Sequence, residues 1–123
     1  MKIVVPYEII TLDSFQKSLK AFNGKDKDRL LEKAQTMLST YPYRYDMLKG
    51  PIEINGVYIV GLRKFKSGLS GQKGGAYVLY RICEECKKNG YNLNSDVSCE
   101  FCDGKKDNHV VLFISRPRSF GYD

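Results

Sequence analysis

Two cysteine pairs, Cys83-Glu-Glu-Cys86 and Cys99-Glu-Phe-Cys102, constrain this chain more than any other feature. Two residues lie between the sulfurs of each pair and twelve lie between the pairs. A tetrahedral Zn²⁺ site needs this arrangement: each short pair chelates, and the longer connection folds the second knuckle back onto the first. Gly90 and Gly104 come after the two pairs and permit turns whose backbone N–H groups face thiolate sulfur. A redox disulfide needs a thioredoxin-like setting, and a secreted disulfide framework needs a secretion signal; the sequence displays neither. The expectation is a structural zinc held by Cys83, Cys86, Cys99 and Cys102, with no open position for a reacting water. Such a clip says where a chain is pinned and little about what it does.

At 123 residues the chain has the size of a single domain, 1–123, with the zinc-ribbon-like segment 83–102 inside it. Twenty Lys and Arg against fourteen Asp and Glu give a formal charge of +6. Four thiolates on Zn²⁺ contribute +2 − 4 = −2 and leave about +4. A mildly basic surface suits RNA, DNA or an acidic protein without choosing among them. Pro6 and Glu8 interrupt the apolar start, so it does not read as a secretion signal, and no run approaches transmembrane length. The expected setting is cytoplasmic, with reduced cysteines and no membrane partner.

The periodicity then sets an order of elements. Residues 2–10 are β-branched and apolar and read as a strand. Leu12, Phe15, Leu19 and Phe22 have helical spacing, with Thr11 or Asp13 as N-cap, and Asn23-Gly24 ends that helix. Asp26 or Asp28 opens a second helix whose apolar stripe is Leu30, Leu31, Ala34, Met37 and Leu38, stopped by Pro42. Tyr41, Tyr43 and Tyr45 beside that proline are expected to pack the helix exit against a sheet. Residues 57–63 and 77–82 read as strands, with a mobile Gly/Ser/Lys-rich loop, 64–75, between them. His109–Ile114 is the final strand, and His109 is expected to be an exposed turn or strand residue. The order β-α-α-β-β-(zinc hairpin)-β is α+β: two helices on a mainly antiparallel sheet.

That ordered set resembles the RelE/ParE superfamily of toxins from type II toxin–antitoxin systems. The residues that carry the resemblance are Leu30–Leu38 before Pro42, Leu48-Lys49-Gly50, Tyr58–Arg63, Tyr77–Ile82 and the tail from Arg116 to Tyr122. It covers nearly the whole chain apart from the Gly-rich loop and the zinc segment. The resemblance implies a RelE-like fold with a zinc-binding hairpin inserted between the last two strands. It implies a metal-independent mRNA interferase, often acting on the ribosome and inhibiting translation, and an antitoxin protein that wraps it.

RNA cleavage of this kind deprotonates a 2′-hydroxyl, protonates the departing 5′-oxygen and stabilises added charge on phosphorus. Basic side chains and a tyrosine can do all three. By the resemblance, Arg116 stabilises the phosphate, Tyr122 positions or activates the 2′-hydroxyl, Arg118 supports them, and Arg63 is the arginine that ends the family's second strand. The lysines of that strand fall at Ile59 and Gly61, and the arginine opening the third strand falls at Tyr77. Lys64, Lys66 and Lys73 in the loop, with Arg81 on the Tyr77/Leu79 strand face, are then the candidates for replacing the missing charge on RNA. Two alternatives remain: a ParE-like inhibitor of DNA gyrase without enzymatic activity, and a degenerate toxin fold acting as a zinc-ribbon binding module.

Overall fold

The structure, a computed structural model, describes residues 7–22, 24–69, 72–88 and 108–117, without the side chains at 69, 72–74 and 87. Strand β1 (Glu8–Thr11) leads into helix α1 (Asp13–Ser18), a 3₁₀ turn (Leu19–Ala21) and helix α2 (Gly24–Thr40). A second 3₁₀ turn (Pro42–Arg44) is followed by β2 (Ile52–Ile54), β3 (Val57–Ile59), β4 (Arg63–Leu69) and β5 (Gln72–Ile82). Helix α3 (Cys83–Lys88) and β6 (His109–Pro117) complete the described elements. The main sheet runs β1-β6-β5-β4, parallel between β1 and β6 and antiparallel elsewhere, while β2 and β3 pair as a separate hairpin. The architecture is the α+β arrangement expected, with a mainly antiparallel sheet.

Several elements differ from the sequence expectations, each for a physical reason. The N-cap of α1 is Leu12, which lies between the two expected caps and makes no side-chain cap bond. Gly24 starts α2 rather than ending its predecessor, and Asp26 sits in its first turn, where the helix dipole favours a carboxylate. The strand expected over 57–63 breaks in two. Asn55 and Gly56 both take positive φ (52° and 83°), the conformation of a two-residue turn whose twist matches its flanking strands, so β3 folds back on β2. The chain then re-enters the sheet only at Arg63. The segment expected to be a mobile loop is instead most of β4 and the start of β5, and Arg63 opens a strand rather than ending one. Residues 83–88, expected as the first knuckle of a hairpin, form a helical turn and a half, with Glu84 and Glu85 in its first turn as the dipole prefers.

Two apolar layers sandwich the sheet. On one face Phe15 of α1 and Leu30, Ala34 and Leu38 of α2, all 0% exposed, pack on Phe65, Val78, Tyr80, Ile82, Val110 and Leu112. The α2 residues recur at i, i+4 and i+8, the stripe that the sequence displays, and burying each leucine is worth about 1.5–3 kcal/mol. On the other face Ile54, Ile59 and Leu62 from the β2–β3 region, with Cys83 and Cys86 of α3, cover Tyr77, Leu79, Val111 and Phe113. Strand β5 is thus buried on both sides, and its alternate residues divide between the two layers. Among the described residues no helix is long and apolar enough to cross a membrane.

Candidate functional site

On the face away from α1 and α2, strand register aligns three polar side chains into one row. Lys66 of β4 is opposite Tyr77 of β5, and Tyr77 is opposite Arg116 of β6. Directly opposed residues share a sheet face with Cβ atoms about 5 Å apart, so the row puts two cations beside one phenol. One step along β4, Lys64 lies on the same face with its Nζ 5.4 Å from the centre of the Tyr77 ring. Lys64 and Lys66, expected in a loop, lie instead within β4, Arg63–Leu69.

A bulge aims Arg116. Leu79 pairs with Ile114 but Tyr80 pairs with Leu112, which makes Phe113 the extra residue of the bulged strand. Helix α1 holds this irregular stretch: Ser14 Oγ donates to the Phe113 carbonyl at 2.5 Å, and Ser18 Oγ accepts from the Ser115 N–H at 2.9 Å. A bulge bends its strand and re-aims the side chains beyond it. Here it sets Ser115 toward α1 and half-buried Arg116 toward the row. The two serines of α1 hold the β6 bulge beside Arg116, and sequence reasoning missed them; helical spacing puts Ser14 and Ser18 on one face, which is the only signal for them.

Other expected site residues lie elsewhere. Arg63 is clasped by Glu85, with Nε–Oε1 at 3.0 Å and Nη2–Oε2 at 2.6 Å, and its Nη1 donates to the Tyr45 carbonyl at 2.5 Å. The Glu85 bond holds the guanidinium pKa above its usual value against the opposing effect of burial. Arg63 therefore ties β4 to α3 and to the 43–45 segment, away from the Lys66–Arg116 row. Arg81 shares the Tyr77/Leu79 face, as alternation predicts, but is 0% exposed. It donates to the Val60 carbonyl and lies 5.5 Å from the Phe113 ring, so it braces the hairpin instead of offering a surface to RNA. His109, expected to be exposed, is largely covered and pairs through Nε2 with Glu8 Oε2 at 2.6 Å, at the opposite end of β6 from Arg116. Lys73 falls in β5, its side chain outside the description, and Arg118 and Tyr122 lie outside the described residues.

Half of the expected metal site is described. Cys83 and Cys86, three apart on α3, face the same way and are both 0% exposed, whereas Cys99 and Cys102 lie outside the described residues. Two buried sulfurs on one helical turn fit two corners of a thiolate tetrahedron, the chemistry Zn²⁺ favours. Among the described residues no group of three or more ligand-type side chains comes together. The intervening carboxylates work outward: Glu84 accepts from the Tyr43 hydroxyl at 2.8 Å, and Glu85 holds Arg63.

No family model matches the sequence, and no curated protein matches it. The fold has a solved counterpart. A chain in the crystal structure of the toxin–antitoxin complex RelBE2 from Mycobacterium tuberculosis aligns with a TM-score of 0.57, over 97% of this chain and 99% of that one. The two sequences are 18% identical, and the likeness is one of fold.

Proposed function

We propose that this chain is the toxin of a toxin–antitoxin pair and acts as a RelE-like endoribonuclease on mRNA, on or off the ribosome, with a cognate antitoxin as its partner. The observation that carries the reading is the alignment of Lys66 and Arg116 on either side of buried Tyr77, on the sheet face opposite α1 and α2. The fold it shares with a chain of a toxin–antitoxin complex adds support. In the proposed reaction the RNA 2′-oxygen loses its proton and attacks the adjacent phosphorus, and the 5′-oxygen leaves with a proton. The ends are a 2′,3′-cyclic phosphate and a 5′-hydroxyl. Arg116 and Lys66 offset the charge that gathers on the phosphate in the transition state. Tyr122, six residues beyond Arg116, positions or activates the 2′-hydroxyl, with Arg118 in support. The cysteines take no part in this step. A structural Zn²⁺ on Cys83, Cys86, Cys99 and Cys102 is proposed to pin α3 to the segment that carries the second pair.

Induced expression in bacteria, followed by sequencing of cut RNA ends, tests the reading. Cleavage is expected to stop with Arg116→Ala and Tyr122→Phe while the fold persists; undiminished cleavage by both would overturn the site. One observation favours a ParE-like gyrase inhibitor instead: Arg63 and Arg81, two of the arginines expected at RNA, are engaged inside the protein. That reading expects growth arrest with DNA damage and intact RNA in the same experiment.

A further inference from the structure

The tyrosines around Pro42 do not all pack inward. Tyr45 does so, edge-on to Phe65 with ring centres 5.0 Å apart. Tyr41 and Tyr43 remain 54% and 41% exposed, among the most exposed large apolar side chains of the described protein. They border an open concavity of about 650 Å³ together with Tyr7 and Arg44. Exposed rings on a slack segment would mean little, but this segment is held at many points. Tyr41 N–H closes the end of α2 on the Met37 carbonyl at 2.8 Å, and Tyr80 reaches out of the core to donate to the Pro42 carbonyl at 2.5 Å. Arg63 Nη1 bonds the Tyr45 carbonyl, its guanidinium lies 5.3 Å from the Tyr43 ring centre, and Glu84 fixes the Tyr43 hydroxyl. The backbone beneath both exposed rings is thus fixed, and the Tyr43 ring itself is held by Arg63, Glu84 and the edge of Tyr7, which lowers the ordering cost of binding there.

The surroundings say what such rings would bind. Arg44 is exposed, lies 5.8 Å from the Tyr41 ring centre, and also lines a second groove of about 350 Å³. That groove runs along β4 between the 44–48 segment and Lys64 and Lys66, with Asp46 the acidic residue in its lining. Arg44 lines both concavities, and the lining of the second includes Lys66, the first member of the Lys66–Tyr77–Arg116 row. Flat apolar faces at one end and a line of cations at the other match a polymer that alternates bases with phosphates.

We infer that Tyr41, Tyr43 and Arg44 form a stacking platform for unpaired bases of single-stranded RNA, whose backbone then follows Arg44 and Lys66 toward the row. The inference rests on the ribonucleic-acid reading above and deepens it, because it supplies a subsite apart from the reacting phosphate that selects unpaired RNA. Base stacking is sequence-tolerant, so the platform chooses strandedness over sequence.

Binding of a fluorescein-labelled 2′-O-methyl octaribonucleotide to the whole chain, read by polarisation across a salt series, tests the platform without any cleavage. Tyr41→Ala and Tyr43→Leu are each expected to weaken binding about tenfold. Tyr43→Phe, which keeps the ring and loses only the Glu84 bond, is expected to stay within about twofold of the parent. Arg44→Ala should reduce the slope of log K against log salt by about 0.7. Tyr58→Ala, removing an exposed ring on the β2–β3 hairpin, is expected to change nothing. Parent-like affinity in both Tyr41→Ala and Tyr43→Leu would overturn the inference, as would equal competition by duplex RNA of the same sequence. Displacement of the oligonucleotide by an acidic peptide whose own binding needs the two tyrosines would also overturn it, in favour of a protein partner. The failures are separable: tyrosine-dependent binding alongside undiminished cleavage by both Arg116→Ala and Tyr122→Phe sinks the catalytic site and leaves the platform standing.

Discussion

Arg63 and Glu85 face each other as a two-bond pair, guanidinium fork to carboxylate, with side chains only 14% and 10% exposed. Both bonds are charge-assisted, and the fork geometry fixes the angle between β4 and α3. Removing Arg63 leaves a mostly buried carboxylate and also releases the Tyr45 carbonyl. Arg63→Ala is expected to destabilise the fold by about 2–4 kcal/mol, read as a shift in urea midpoint. Arg63→Lys is expected to recover less than half of that, since an ammonium cannot reproduce two parallel bonds. Full rescue by lysine would reduce the pair to simple charge.

Alkaline pH should weaken the protein through Tyr80. Burial, partly countered by the nearby Arg63, holds its hydroxyl well above the ordinary tyrosine pKa, and Tyr43 moves the same way by burial and the Glu84 bond. In the unfolded chain both ionise near 10. The contribution of buried Tyr80 is therefore complete below about pH 10 and declines above it by up to about 1.4 kcal/mol per pH unit, while solvent screening leaves exposed Tyr43 a minor part. Denaturant midpoints measured from about pH 8 to 11.5 should fall steeply past 10 and less steeply in Tyr80→Phe. Parallel profiles for the two proteins would remove Tyr80 as the cause.

Gly75 lies where the β4–β5 register shifts, with φ at +78°. A Cβ there would press into the carbonyl of Ser67 on the paired strand. Backbone strain and clash act together, so Gly75→Ala is expected to cost about 2–4 kcal/mol. Exchange of the Lys66 and Tyr77 amides with deuterium should quicken if the hairpin register depends on this glycine. Unchanged exchange would show that the hairpin tolerates a side chain there.

Metal analysis of protein purified without chelator is expected to find one zinc per chain. Cys83→Ser and Cys99→Ser should each reduce that content sharply and lower the melting temperature. A chelator should do the same to the parent protein. Full-length protein that binds no zinc would refute the clip, whatever the fate of its RNA-cutting activity.

Much of this fold is legible where apolar side chains keep time with an element. Leu30, Ala34 and Leu38 announce α2, and the alternation in 77–82 announces the heart of β5. The errors gather where the same information is overridden. Gly, Ser and Lys at 64–69 and 72–75 look like loop, yet backbone pairing between β4 and β5 makes them strand, and lysines are ordinary company on the edge position that β4 occupies. Asn55-Gly56 between short apolar runs is a strong hairpin signal, and giving it weight splits 57–63 correctly. Cys-Glu-Glu-Cys-Lys-Lys, acidic at its start and basic at its end, likewise carries a helical charge pattern beneath its metal motif. The row Lys66–Tyr77–Arg116 is not legible, because it depends on register across three strands and on a bulge at Phe113, and local sequence encodes neither.

The sheet order also says something about time. β6 is spatially interior, between β1 and β5, although it is the last described strand to be made. While residues 1–88 emerge from a ribosome, β1 and β5 have no common neighbour, and the helices have an incomplete surface to cover. The structure can close only after residues 109–117 have been synthesised, and Arg116 arrives with them. Until β6 is in place the Lys66–Tyr77–Arg116 row does not exist, so whatever that face does waits on the last of the described strands.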